Sequence, residues 1–269
     1  MKIILAALIA LLVPMGSALA CGTSTDCKIG DRIYRIKMPD GHDGVTPVGA
    51  IIHAHGYRGT AKGTISNKNF QRMASRLGVA LIAPKSAEAD WVIPGAPRKR
   101  NVDGSREFEY FDALIADATS RFPIDRNRLM VSGFSAGGMM VWNLACHRGS
   151  SFAGFAPIAG TFWETLPRSC PSAPVNLIHT HGTSDTTVPL KGRRIADTKQ
   201  GAIAEALSLF TRIGGFGSAS RRSVGELNCA RQTNANGKIL EYCTHFGGHS
   251  MKSKWLERAW REFQAKGIL

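Results

Sequence analysis

Residues 131–140 read VSGFSAGGMM, and Ser135 stands between Gly133 and Gly137. Glycine is costly inside a strand or a helix, so Gly133, Gly137 and Gly138 mark a backbone with unusual demands. An apolar run precedes the serine and another follows it. The pattern G-x-S-x-G then falls on a sharp strand-to-helix turn, where side chains at 133 and 137 would collide and the serine oxygen is lifted above the sheet edge. A serine hydroxyl is a poor nucleophile at neutral pH. It needs a histidine to accept its proton and an acid to orient that histidine.

Around such a turn the partners follow in chain order, acid before histidine. Asp112, Asp117 and Asp125 precede the serine and drop out. The segment HTHGTSDTTVP places Asp185 in a loop just after an apolar run, on the same rim, and Asp197 lies further on, on the approach to a helix. An aspartate in a loop also serves as a turn or cap residue, so position alone does not assign it. Beyond Asp185 only His245 and His249 remain. His245 lies near the end of an alternating run, where packing accounts for it; His249 lies in GGHS, a turn from which an imidazole can reach the serine. The expected set is Ser135, Asp185 and His249.

The same chemistry requires hydrogen-bond donors for a developing oxyanion. One expected donor is the backbone N–H of Ala136, directly after the serine; the other is the backbone N–H of Tyr57, in the turn HAHGYRG after an earlier strand. His53 and His55 in that turn form H-x-H without nearby acids and read as structural. No metal or cofactor is expected.

The elements that would position these groups alternate along the chain. IYRIKMP from Ile33 alternates as an edge strand does, whereas PVGAIIHAHG, VALIAP, LMVSGF, GFAPIAG and VNLIHTHG are apolar runs typical of buried strands. Between them, NFQRMASRLG, EYFDALIADATSRF, AGGMMVWNLACH and AIAEALSLFTRIGG carry helical spacing; KILEYCTHF then alternates as a strand, and SKWLERAWREFQAKG closes the chain as an amphipathic helix. FPIDRNR reads as a turn. Such alternation predicts an α/β class fold, a mostly parallel sheet covered on both faces, with ligands at the carboxyl ends of the strands. A nucleotide-binding fold is disfavoured because no G-x-G-x-x-G follows the first strand.

The segment KSAEADWVIPGAPRKRNVDGSREF is long and without period, and it leaves a strand at the same rim. Trp91 within it, and Trp163 in the next rim loop, are candidate substrate-binding walls; an anchoring role for each stays open. Trp142, Trp255 and Trp260 fall on helices and are expected in the core.

Residues 1–20 read as a signal peptide, with Lys2, an apolar stretch too short to span a bilayer, and Ala18-Leu19-Ala20 before the expected cleavage point. This leaves residues 21–269 as one catalytic domain. Cys21 follows the cleavage point directly and permits a lipoprotein reading, but the residue three before it is Ala18 rather than a large aliphatic, which favours soluble export. The expected location is secreted or periplasmic, without stable membrane association unless Cys21 is lipidated. Six cysteines in an exported chain predict disulfides, with proximity favouring Cys21–Cys27, Cys146–Cys170 and Cys229–Cys243; no C-x-x-C pair suggests zinc. The net charge of +14 is scattered rather than striped with aromatics, which speaks against nucleic acid and for solubility or attraction to an anionic polymer.

GFSAGG after IADATSRFPIDRNRLMVS, then HGTSDTTVP and GGHS, together resemble the secreted polyhydroxybutyrate depolymerase and feruloyl esterase group of the α/β-hydrolases, over about Ile33 to Trp260. The resemblance implies Ser135, Asp185 and His249 as a catalytic triad, no cofactor, and a carboxylic ester as substrate, polymeric or derived from plant cell walls. Two departures touch the substrate mouth. Ser250-Met251-Lys252 follow the histidine where Trp-Pro is frequent, and Tyr57-Arg58 stand where glycine-rich versions are familiar. The rival readings are a serine peptidase of the same fold, for whose usual gating domain the chain has no room, and an inactive binding protein on a hydrolase scaffold.

Overall fold

The computed structural model describes residues 21–97, 101–172 and 174–269. The segment read as a signal peptide and the basic cluster at 98–100 lie outside the described residues.

The chain begins with strands β1 (Cys27–Ile29), β2 (Arg32–Lys37) and β3 (Val48–Ala54), continues through helices α1 (Ala61–Ser66) and α2 (Lys68–Leu77), and returns in β4 (Ala80–Pro84). Helix α3 (Ser105–Arg121), strand β5 (Ile124–Phe134), helix α4 (Ala136–His147) and strands β6 (Gly154–Ile158) and β7 (Leu177–Gly182) form the middle of the chain. A two-stranded flap of β8 (Arg194–Ile195) and β9 (Thr198–Lys199) precedes helix α5 (Ile203–Gly214), strands β10 (Ser220–Val224), β11 (Leu227–Thr233) and β12 (Ile239–His245), and helix α6 (Ser253–Ala265).

Ten strands form one sheet in the order β1-β2-β4-β3-β5-β6-β7-β12-β11-β10. Its centre, from β4 to β12, is parallel throughout. The wings are antiparallel: β2 on β4 with β1 outside it, and β11 on β12 with β10 outside it. Alternate residues of the central strands feed two cores. Ile52, Ile82 and Val131 pack with α3, α4 and α5, while Ile51, Leu81 and Met130 pack with α2 and α6. Helix α4 is buried from Ala136 to Cys146, as expected of a helix apolar on all sides. Trp142, Trp255 and Trp260 are buried as predicted.

Four expectations need correction. The alternating run at Ile33 is not an edge, because the three residues of β1 cover it. The expected turn FPIDRNR is already strand from Ile124, with a register shift against β3 between Val48 and Ala50. Helix α3 starts at Ser105, so the last four residues of the long rim segment are helical; Glu107 is fully buried there and its Oε1 accepts the Val92 N–H at 3.0 Å. Asp197 lies not on a helix approach but in the exposed turn between β8 and β9.

The disulfides join Cys21 to Cys27, Cys146 to Cys170 and Cys229 to Cys243, the three pairs expected from proximity. Among the described residues no helix is long and apolar enough to cross a membrane.

Candidate active site

Strand β5 ends at Phe134 and α4 starts at Ala136, so Ser135 alone makes the turn. It does so at φ 58°, in the left-handed region. The turn is held from both sides: the Ser135 N–H donates to the Ile158 carbonyl at 3.0 Å, and the Ser135 carbonyl accepts the Met139 N–H at 2.9 Å. The glycines answer to close backbone approach. A Cβ at Gly133 would lie 2.3 Å from the Gly137 carbonyl oxygen, and one at Gly137 would lie 2.0 Å from the Ala54 carbonyl oxygen of β3. Neither approach is possible for a side chain, so the main chain itself dictates the spacing of the motif.

Asp185 and His249 come together from loops after β7 and β12, neighbouring parallel strands. His249 Nδ1 lies 2.7 Å from Asp185 Oδ2. The other oxygen, Oδ1, accepts the N–H groups of Thr187 and Val188, both at 2.8 Å. Burial pushes the Asp185 carboxyl up, but hydrogen bonds from His181 and His249 and from the Val188 N–H outweigh it and hold the group well below the usual carboxylate range. An ionised Asp185 selects the His249 tautomer protonated at Nδ1 and leaves Nε2 as a base. The ring of His249 packs on that of Phe134, the residue before Ser135, with centroids 4.6 Å apart. Among the described residues the Ser135 hydroxyl itself makes no hydrogen bond to the ring; such contacts are often longer before substrate binds.

The competing histidine is elsewhere. His245 is buried, and its ring stacks on Trp255 at 4.5 Å. Sequence reasoning missed His181, fully buried, whose Nε2 donates to the Val188 carbonyl at 2.8 Å and lies 3.4 Å from Asp185 Oδ2. Its spacing four residues before Asp185 was the available signal.

The turn after β3 approaches the serine from the opposite side: a Cβ at Gly56 would meet that of Ser135 at 3.5 Å. His55 shapes this turn. Its Nδ1 donates to the Gly56 carbonyl at 2.8 Å, and its Nε2 accepts the Ser86 N–H at 3.2 Å. Burial lowers its pKa to about 4, and that of His53 to about 3, so both are neutral structural groups, as the sequence indicated. Trp91 is not at the rim. It is 1% exposed and its indole N–H donates to the His55 carbonyl at 2.8 Å, so it anchors the long segment beneath the turn and cannot act as a substrate wall. The long segment is without period, so nothing in its pattern could tell a surface tryptophan from an interior one.

Two clefts are lined by residues of this region. One, of about 420 Å³, is lined by Ser135, Ala136, Tyr57 and Trp163, so Trp163 does face the site. The other, of about 710 Å³, is lined by His249 and Phe134, by Asn67 and Asn69, and by Lys252 and Lys254.

A nucleophile-type turn after a central parallel strand, with an acid and a histidine on loops of the strands that follow, defines an α/β-hydrolase. The chain belongs to the phospholipase/carboxylesterase family, whose model matches residues 46–209. A protein of Aspergillus oryzae named a probable feruloyl esterase C is 24% identical over 229 residues, covering 82% of this chain and 77% of that one. Among solved structures, an acetyl xylan esterase from Aspergillus awamori superposes with a TM-score of 0.62 at 14% identity, covering 88% of this chain and 94% of that one. An S-formylglutathione hydrolase from Staphylococcus aureus gives 0.55 at 12% identity, covering 91% and 94%. The protein is a carboxylic ester hydrolase of the α/β-hydrolase superfamily, and its likeness lies with the feruloyl esterase group.

Proposed function

We propose that this esterase is exported by the segment 1–20 and works through an acyl-enzyme on Ser135, with a plant-cell-wall-type ester as substrate. The carrying observation is the 2.7 Å Asp185–His249 pair standing beside a serine held at φ 58°. In this reading His249 Nε2 takes the Ser135 proton as Oγ attacks the ester carbonyl. The Ala136 and Tyr57 N–H groups stabilise the oxyanion, and each such donor contributes roughly 10²–10³-fold. His249 then protonates the leaving alkoxide, and water releases the acyl group by the same steps. Export agrees with the three disulfides. The names of the Aspergillus feruloyl and acetyl xylan esterases favour an ester carried on polysaccharide.

A fluorophosphonate probe on the purified protein, followed by peptide mapping, should label Ser135. Ser135→Ala should stay folded and lose at least about 10⁴-fold in kcat. Parallel assays with p-nitrophenyl acetate, methyl ferulate, a 3-hydroxybutyrate oligomer and a peptide anilide separate the rivals. Ester cleavage with little anilide turnover is expected. Anilide turnover without ester cleavage would replace the esterase by a peptidase, and absence of labelling would leave a binding scaffold.

A further inference from the structure

The two clefts are not equivalent, and the chemistry assigns their contents. The leaving alcohol must take its proton from His249, so it occupies the larger cleft that His249 lines. The acyl group stays bonded to Ser135 and occupies the smaller cleft of about 420 Å³ that Ser135 lines. This assignment rests on Ser135 being the nucleophile.

The acyl cleft is apolar along Met139, Trp163, Val188 and Ile195, which suits a flat or extended carbon skeleton. Among the described residues one cation stands in its wall, Arg193. Its Nε donates to the Thr187 carbonyl at 2.7 Å, which fixes the plane of the guanidinium. Among the described residues Arg193 makes no ion pair, and both terminal nitrogens lack a protein partner. Asp90 also lines the cleft, and its Oδ1 accepts the Trp91 N–H at 2.8 Å. Tyr57, Thr187 and Gln200 are further polar lining residues, and the buried Oε1 of Gln200 has no partner among the described residues. Arg193 is exposed at the cleft, and an arginine fixed by its Nε with its fork unfilled beside an apolar wall can meet two acceptor oxygens of one planar group.

We infer that Arg193 is a specificity residue that selects acyl groups ending in a carboxylate, held by its guanidinium in the wall of the acyl cleft. The exposed Lys191 and Arg194 beside it in the chain add to the field that draws such an anion in.

The test uses three rigid methyl esters whose acyl tails cannot attack their own ester: methyl cinnamate, methyl 4-carboxycinnamate and methyl 4-hydroxycinnamate. The wild-type enzyme should show kcat/KM about tenfold or more higher for the carboxylated ester than for cinnamate, mainly through KM, with the margin shrinking at high salt. In Arg193→Gln that ratio should fall to about one or below, while Arg193→Lys should keep part of it, as a charge without the fork. Equal rates on the first two esters in an enzyme that Ser135→Ala inactivates would overturn the assignment and leave the nucleophile standing. A preference for the hydroxylated ester would overturn it in favour of Gln200. Equal losses on all three esters in Arg193→Gln would also overturn it, because they would mean that the residue acts only by holding Thr187 beside Asp185. Turnover that survives Ser135→Ala would bring down the underlying reading instead.

Discussion

Ser135 and His249, the proposed nucleophile and base, are held in different ways. The turn at Ser135 is fixed by main chain: its N–H and carbonyl are both bonded, and the glycines on either side leave no room for a Cβ. The loop that carries His249 is also held by its main chain, since a Cβ at Gly182 would lie 2.4 Å from the Gly247 and Gly248 carbonyl oxygens, but it leaves more room nearer the histidine. Ser184 N–H donates to the Gly247 carbonyl at 2.9 Å, Phe246 is 97% exposed, and a Cβ on Gly248 would meet only the Ser184 carbonyl, at an ordinary 3.6 Å. What fixes His249 is side chain, Asp185 on one edge and Phe134 on the face. The attacking oxygen must be placed to a fraction of an ångström before substrate arrives, whereas the imidazole must serve first the serine and then the leaving group. A rigid backbone suits the first task and an oriented but adjustable ring suits the second.

The sharpest way to break this contrast is to remove the orienting side chain. Asp185→Asn should lower kcat by about 10⁴-fold, since an amide favours the wrong imidazole tautomer. Circular dichroism should show an intact fold. Asp197→Asn, in an exposed turn, should leave kcat near wild type; the reverse pattern would move the acid. Next in size are the glycines. Gly137→Ala forces a methyl group against the Ala54 carbonyl and should cost about 3 kcal/mol or more, read as loss of soluble protein or a drop in denaturation midpoint. Gly248→Ala should change stability by less than about 1 kcal/mol and affect mainly kcat. Equal damage from both would mean that the histidine loop is as rigid as the turn.

The same contrast governs what the sequence disclosed. The nucleophile turn was legible because local backbone sterics demand G-x-S-x-G, and the central strands were legible because burial on both faces leaves unbroken apolar runs. Asp185 and His249 followed from chain order, with their meeting left to the register of β7 on β12. The β10–β11 wing was not legible. Ser220–Val224 reads SRRSV and is largely exposed. The wing is held to β12 and α6 by Arg222 and Arg231, which meet the fully buried Glu241 and Glu262, while Arg258 pairs with Glu241 as well. Such a network depends on residues far apart in the chain and leaves no periodic trace. Helix α1 and strand β1 were too short to show one. Trp91 was misplaced because its partner is a backbone carbonyl, which no side-chain pattern reveals.

The disulfides extend the comparison to stability. Cys146–Cys170 ties the end of the nucleophile helix α4 to the segment before β7, whereas Cys229–Cys243 joins β11 to β12, the strand that leads to His249. Loops of these lengths contribute about 3 kcal/mol each by the chain-entropy argument. Replacing either pair by alanines should lower the midpoint by a similar amount. Only loss of Cys229–Cys243 should also reduce kcat, because it loosens the less constrained partner. A kcat loss confined to the Cys146–Cys170 variant would invert the proposed division of rigidity.

The last expected effect lies in the pH dependence of stability. On the nucleophile side, burial depresses His53 to about 3 and His55 to about 4. Their unfolded values lie near 6.5, so between these limits the unfolded chain binds more protons than the native one. Stability should therefore be lost as pH falls below about 6.5, at up to about 1.4 kcal/mol per pH unit for each histidine. On the histidine side burial also holds His179 and His245 below the ordinary histidine range, so they add to the same slope, while Asp185, also depressed, contributes stability that is fully present above its unfolded value of about 3.9 and fades only below it. Two windows follow. In urea titrations His53→Gln, which can still pair with Ser132, should flatten the slope between pH 6.5 and 4.5. Asp185→Asn should lower stability by a constant amount across that range, leaving its slope unchanged, and alter the slope only below about pH 3.9. A wild-type curve flat from pH 6.5 to 4.5 would show that the buried histidines of the nucleophile side do not stay neutral at its expense.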